Sequence, residues 1–219
     1  MTTVALIAKE CRPGRVKTRL HPPLTLDEAA EVAAASLADT IAVVRDLPAT
    51  RRVLFFDGEA TADLATGFDV LPQPEGGLDA RLGALFDAVD GALLLVGMDT
   101  PQLAAEDMSA FFDEVDATET GAGDHPAAWF GPALDGGFWA LGMTSVAGAR
   151  GDLIRGVPMS RDDTGAVQRR RLMDAGLSVR DLPPLRDLDT VDDLRAITIE
   201  HPRLRTARVF AGLREGSRR

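Results

Sequence analysis

The chain has two lysines, Lys9 and Lys17, against 22 arginines, and both lysines fall in residues 9–20, KECRPGRVKTRL. Arg15, Lys17 and Arg19 alternate, so in an extended segment they would point to one side, with Arg12 and Thr18 adding donors. Pro13-Gly14 forces a turn, and Gly14 lets the backbone approach a ligand closely. Arginine offers a planar fork for phosphate and lysine a compact charge. Such a loop is a cradle for a small anion of the triphosphate kind; the competing reading is a solvated basic loop. Neither of the common phosphate fingerprints, GxxxxGK[ST] or GxGxxG, is present.

Carboxylates supply the complementary chemistry. GMDTPQL (97–103) follows the most apolar run of the chain, GALLLVG (91–97). Asp99 there suits a hard cation such as Mg²⁺, which takes oxygen ligands and retains several waters, or else it caps the next helix. In RDLDTVDDL (186–194), Asp187, Asp189, Asp192 and Asp193 cluster at a strand-to-helix junction. Capping by Asp189 or Thr190 explains most of that cluster, and one carboxylate is left to share a metal with Asp99. GPALDGGFWALG (131–142) places Asp135 before Gly136-Gly137, a pair that permits positive φ or close backbone approach, or is a turn without chemistry; Phe138 and Trp139 read as core or pocket wall. His21, His125 and His201 are scattered and join no nucleophile motif.

The elements that must position these residues alternate in type. Strands are expected at 3–8, 51–56, 68–73, within 91–97, as two strands or a bent hairpin across 127–143, and at 178–183. Helices are expected at 24–47, with Thr25 and Glu28 as a capping box, at 59–66, 77–90, 104–115 and 162–177, and from 190 onward. This alternation implies βαβ units and a mainly parallel sheet with helices on both faces. In such sheets ligands sit beyond the carboxyl ends of the strands, which selects the loops at 9–23 and 98–103.

Composition narrows the partners. A net charge of −10 argues against a general nucleic-acid partner, and no apolar run reaches bilayer length. The N-terminus lacks the charge order of a signal peptide, so a cytoplasmic location is expected. Cys11 is the only cysteine, which excludes an intrachain disulfide. The Ala/Leu-rich helices are compatible with a homodimer, and REGSRR at the end reads as a frayed basic tail.

ECRPGRVKTRLHPPLT, GMDTPQL, FGPALDGGFWALGM and RDLDTVDDL together resemble, in order and spacing, the small bacterial transferases of the glycosyltransferase-A-like, nucleotide-diphospho-sugar transferase superfamily, of the selenodomain-associated transferase 1 type. The match runs over residues 3–198. QPEGGLDARLGALFDA (73–88) is similar to that family's Gln…Gly-Asp-Leu-Gly-x-Arg stretch, and KTRL resembles the 2-phospholactate or phosphoenolpyruvate guanylyltransferases. The resemblance implies a single domain with a three-layer α/β/α Rossmann-like sandwich and a mainly parallel, mixed seven-stranded sheet. Its nucleotide-binding half would be about 1–103, its acceptor half about 104–198, and 199–219 a helical tail. It implies Lys17 as the phosphate-binding lysine beside Arg15 and Arg19, Asp99 and Asp189 as ligands of Mg²⁺ or Mn²⁺, Gln73 and Arg81 near base or ribose, and Asp135, Gly136 and Gly137 on the acceptor side. Three departures stand out: DGGF where the family has DGGY, Gly77-Leu78-Asp79-Ala80 for Gly-Asp-Leu-Gly, and PMSRDDT (158–164) for a Trp-Ser-Thr segment. The implied reaction is metal-dependent nucleotidyl transfer from a nucleoside triphosphate to a small phosphorylated acceptor, releasing pyrophosphate. The alternatives are glycosyl transfer from an NDP-sugar, whose usual Asp-x-Asp pair is missing here, and a non-catalytic nucleotide-binding module.

Overall fold

The computed structural model describes residues 1–119, 128–144 and 149–216. Its seven strands are β1 (Thr2–Lys9), β2 (Arg51–Asp57), β3 (Asp69–Pro72), β4 (Ala92–Gly97), β5 (Ala128–Pro132), β6 (Phe138–Met143) and β7 (Val179–Asp181). They form one sheet in the order β3-β2-β1-β4-β6-β5-β7. β6 alone runs antiparallel, against β4 on one side and β5 on the other; the remaining pairings are parallel. The apolar run GALLLVG is central because it is buried on both faces, between β1 and β6.

The helices are α1 (Leu26–Asp46), α2 (Ala62–Ala65), α3 (Leu78–Ala88), α4 (Ser109–Glu119), α5 (Thr164–Asp174), α6 (Val191–Glu200) and α7 (Arg205–Gly216). Strand side chains alternate between two helical layers. Val4, Leu94 and Val96 face α1 and α4 through Val44, Phe111 and Val115. Ala5, Leu93 and Leu95 face α3 and α5 through Leu82, Phe86 and Leu172. This is the expected three-layer α/β/α sandwich with a mixed, mainly parallel sheet.

Local signals set the boundaries. Thr25 and Glu28 form the expected capping box at α1, with Glu28 Oε2 2.7 Å from the Thr25 amide. Thr190, with Asp193, caps α6 in the same way. The C-terminal region contributes α7, whose first amides are capped from a distance. Asp39 in α1 accepts the Arg205 N–H at 2.9 Å, and the Thr206 N–H and hydroxyl at 2.9 and 2.8 Å. Among the described residues, no helix is long and apolar enough to cross a membrane. His125 and the last three residues of the basic tail lie outside the described residues.

Candidate functional site

The loop after β1 is held by two buried anchors. Val16 packs against Ala30 and Ala33 of α1, and Leu20 joins the cluster formed with α6 and α7. Between them the backbone turns sharply. Gly14 takes φ 73° and Lys17 φ 46°, and Thr18–Leu20 form a short 3-10 turn. The extended-segment premise for Arg15, Lys17 and Arg19 therefore fails. All three do line one cleft, because a non-glycine residue held in the left-handed region turns the chain there. Arg12 is absent from the cleft wall and pairs with Glu10 at 2.7 Å. His21 is used locally, with Nδ1 2.7 Å from the Leu24 carbonyl oxygen.

Asp99 lies beyond the carboxyl end of β4 and meets this loop directly. Lys17 Nζ is 2.6 Å from Asp99 Oδ1, with the lysine side chain only 8% exposed. Asp99 is not a helix cap: the next turn is closed by Ala104 and Asp107. Backbone bonds bring the distant acidic segment alongside. The Leu188 N–H donates to the Asp99 carbonyl at 2.8 Å, and the Gln102 side-chain amide donates to the Arg186 carbonyl at 2.6 Å. Asp189, the implied second metal ligand, is bound by Arg19. Asp187 is instead the carboxylate whose buried Oδ1 has no hydrogen-bond partner. Burial pushes its pKa up to about 7, helped by the negative charges of Asp135, Asp99 and Asp189 and opposed by Lys17. Sequence reading placed Asp187 in the acidic cluster but had no signal to separate it from Asp189, since that separation depends on which carboxylate Arg19 captures.

Gln73 and Arg81 line the same cleft, but Gln73 is fully engaged in structure. Its Nε2 donates to the Ala8 and Phe55 carbonyls, each at 2.9 Å, clamping the ends of β1 and β2. Its Oε1 accepts from Arg81 at 3.2 Å, and Arg81 also reaches Asp57 at 3.0 Å and the Gly76 carbonyl at 3.0 Å. Gln73 thus orients Arg81 and has no donor left for a base.

The acceptor-side residues divide as well. Asp135 and Gly137 line the cleft, and Asp135 Oδ1 accepts the Gly137 N–H at 2.8 Å. Gly136 does not line it. It takes φ 92°, and a Cβ there would stand 1.8 Å from the Asp162 carbonyl oxygen. Its role is packing, because the Gly136 carbonyl accepts the Gly165 N–H at 2.8 Å and fastens the β5–β6 turn to the start of α5. That contact carries residues 159–162 into the cleft wall, where Ser160 is held at φ 59°. Lys17 and Ser160 are the two non-glycine residues with positive φ among the described residues, and both border this cleft. Left-handed backbone in non-glycine residues concentrates at functional sites, but a single sequence carries no signature of it.

The cleft measures about 970 Å³, a volume in the range of small-ligand sites. Cys11, near its edge, has a thiol pushed up to about 11 by burial and by Asp99, so without a bound cation it is protonated at neutral pH. Among the described residues, no three His, Cys, Asp or Glu side chains form a metal cage. The donor set fits the other way in which Mg²⁺ is held, by one or two carboxylates plus waters and substrate phosphates. The unpartnered Asp187 oxygen beside Asp99 is the kind of ligand that mode requires.

Residues 40–161 match the family described as an uncharacterized protein conserved in bacteria (DUF2064), over more than half of the chain, and the protein belongs to that family. No curated protein matches. Among solved structures, a candidate nucleotide-diphospho-sugar transferase from Desulfovibrio desulfuricans is similar over 99% of this chain and 95% of that one, at 24% identity and a TM-score of 0.78. A nucleotidyl transferase from Methanothermobacter matches 91% of this chain and 97% of its own at 14% identity and a TM-score of 0.53. A Mycobacterium tuberculosis protein, Rv0371c, solved with manganese, matches 90% of this chain and 96% of its own at 20% identity and a TM-score of 0.50. At these identities the likeness establishes the fold of nucleotide-diphospho-sugar transferases and nucleotidyltransferases.

Proposed function

We propose that this protein is a divalent-metal-dependent nucleotidyltransferase that takes a nucleoside triphosphate as donor and releases pyrophosphate. The observation that carries the reading is the Lys17–Asp99 contact of 2.6 Å. It sets a phosphate-binding cation against a carboxylate at the mouth of the sheet, where α/β folds bind ligands. Phosphoryl-type transfer needs alignment and charge neutralisation more than a covalent nucleophile, and the cleft offers that inventory.

In this reading Arg15, Lys17 and Arg19 hold the phosphates and stabilise the departing pyrophosphate. Arg81, fixed by Gln73 and Asp57, orients the nucleoside end. Asp99 and Asp187 would hold Mg²⁺ or Mn²⁺, with Asp189 setting the position of Arg19. A bound divalent ion would neutralise charge at the reacting phosphate. The fold's resemblance to transferases supports the class, and a manganese-bound relative of the same fold is consistent with the metal.

Glycosyl transfer from an NDP-sugar is the second reading, favoured by the carboxylate-lined acceptor wall around Asp135 and Asp162. The decisive test is product analysis. The protein is incubated with each NTP and with NDP-sugars, with and without Mg²⁺, and pyrophosphate and NDP are measured separately. Metal-dependent pyrophosphate release supports nucleotidyl transfer, and NDP release supports glycosyl transfer. A thermal shift with saturating ligand, worth about 2.7 kcal/mol at 100 times Kd, identifies the donor. If no NTP or NDP-sugar shifts the melting temperature, the proposal fails.

A further inference from the structure

Lys17 is confined. Its backbone is fixed at φ 46° between the buried anchors Val16 and Leu20. Its side chain is only 8% exposed, and its ammonium lies 2.6 Å from Asp99 Oδ1. The ammonium therefore stands where a cation on Asp99 would bind. Two cations cannot share that contact, because like charges a few ångström apart repel in a partly buried setting. A surface lysine would swing into water. Lys17 has little solvent to enter, and an ammonium left buried without a counter-charge is destabilising.

The converse holds for an anion. Phosphates that draw Lys17 away leave Asp99 without its counter-charge, in a cluster where Asp187 already feels the negative charges of Asp99, Asp135 and Asp189. Two further cations of the cleft are held in the same manner, Arg19 by Asp189 and Arg81 by Asp57 at 3.0 Å. Both partners of those pairs are more exposed than Lys17, so they yield more readily. The Lys17–Asp99 pair is the one that resists a single incoming charge.

We infer that this pair is an interlock. Neither a divalent cation nor a polyphosphate is held tightly alone, and the ligand taken up is the metal–polyphosphate complex. That complex replaces both halves of the pair at once, its cation on Asp99 and its phosphate oxygens on Lys17. The step exchanges ionic contacts and breaks no covalent bond. Coupling of this kind is reciprocal, so the metal tightens the anion as much as the anion tightens the metal. The inference rests on the reading that the donor phosphates reach Lys17, and it adds the form in which the donor enters.

Inorganic tripolyphosphate is the probe, because it carries the phosphates of a donor and no base. It is titrated calorimetrically into full-length, chelator-treated protein with and without Mg²⁺. The natural protein should bind the Mg²⁺ complex at least about tenfold more tightly than the free anion, within the usual range of site-to-site coupling. Asp99→Asn releases Lys17, so it should bind the metal-free anion about fivefold more tightly than the natural protein does. Asp162→Asn removes an exposed cleft carboxylate outside these pairs and should gain less than about twofold. Equal binding of free and Mg²⁺-bound anion by the natural protein overturns the inference. So does an Asp99→Asn gain no larger than that of Asp162→Asn. Lys17→Met supplies the reciprocal arm: Mn²⁺ alone should bind it more tightly than the natural protein. Unchanged Mn²⁺ affinity there overturns the interlock whether or not Asp99→Asn folds, which circular dichroism checks. If tripolyphosphate binds none of these proteins, with or without Mg²⁺, the donor reading itself fails and the interlock with it.

Discussion

Replacing Lys17 by Met should make the nucleotide-free protein a better metal binder. Lys17 Nζ sits 2.6 Å from Asp99 Oδ1, so the ammonium occupies the carboxylate that a divalent cation needs. Two unit charges about 4 Å apart are worth ~1 kcal/mol in water and ~4 kcal/mol in a partly buried setting. Asp99 is 45% exposed although Lys17 is only 8% exposed, so solvent screening holds the pair to the lower part of that range, about 1–2 kcal/mol. At 1.4 kcal/mol per decade this converts to roughly 5–30-fold in affinity. The assay is calorimetric or paramagnetic titration of Mn²⁺ into chelator-treated protein without nucleotide. Lys17→Met should bind Mn²⁺ 5–30-fold more tightly while binding NTP more weakly, and adding Asp99→Asn should abolish the gain. Met retains the aliphatic stem, so packing is largely preserved. Unchanged or weakened Mn²⁺ affinity in a folded Lys17→Met protein would refute the idea that lysine and metal compete for Asp99.

Three further outcomes follow from the same structure. Arg150→Met should cost about 3 kcal/mol in urea unfolding: the guanidinium is buried and donates to the carbonyls of Phe86, Val89 and Gly91, tying the end of α3 to the start of β4. Asp39→Ala should cost about 2 kcal/mol and accelerate amide exchange in α7, because one carboxylate caps that helix from α1; protection of α7 unchanged from the natural protein would show the cap to be dispensable. Asp187 gives a pH signature in metal-free protein. Its folded pKa is raised to about 7 from an ordinary 3.8, so its stabilising proton is fully present below about pH 4 and lost as pH rises through about 7. Stability should fall over that window, and Asp187→Asn should flatten the slope; a slope identical in the two proteins would remove Asp187 as its source.

Legibility in the sequence followed the range of the interactions. Strands and helices were readable because their causes are local: the unbroken run at 91–97 had to be buried on both faces, and Thr25 with Glu28 announces a helix start by spacing alone. The identity of the cleft was also accessible, since strand ends are where α/β sheets bind ligands and the basic loop and Asp99 both sit at such ends. What escaped was set by distant partners. Asp187 and Asp189 are two residues apart and chemically identical. They differ because Arg19, 170 positions away, binds one of them, while the Leu188 amide docks on Asp99 and leaves the other facing inward. Gln73 looks like a base reader until its amide is found clamping β1 to β2. Gly136 looks like a place for a ligand to approach, yet it is the Asp162 carbonyl that approaches it. In each case the residue type fixed which contacts were possible, and tertiary structure decided which were made. The same holds for the cations of the cleft. Arg15, Lys17 and Arg19 are legible as a basic loop from twelve consecutive residues. Their partners are not: Lys17 meets Asp99 and Arg19 meets Asp189, both far along the chain.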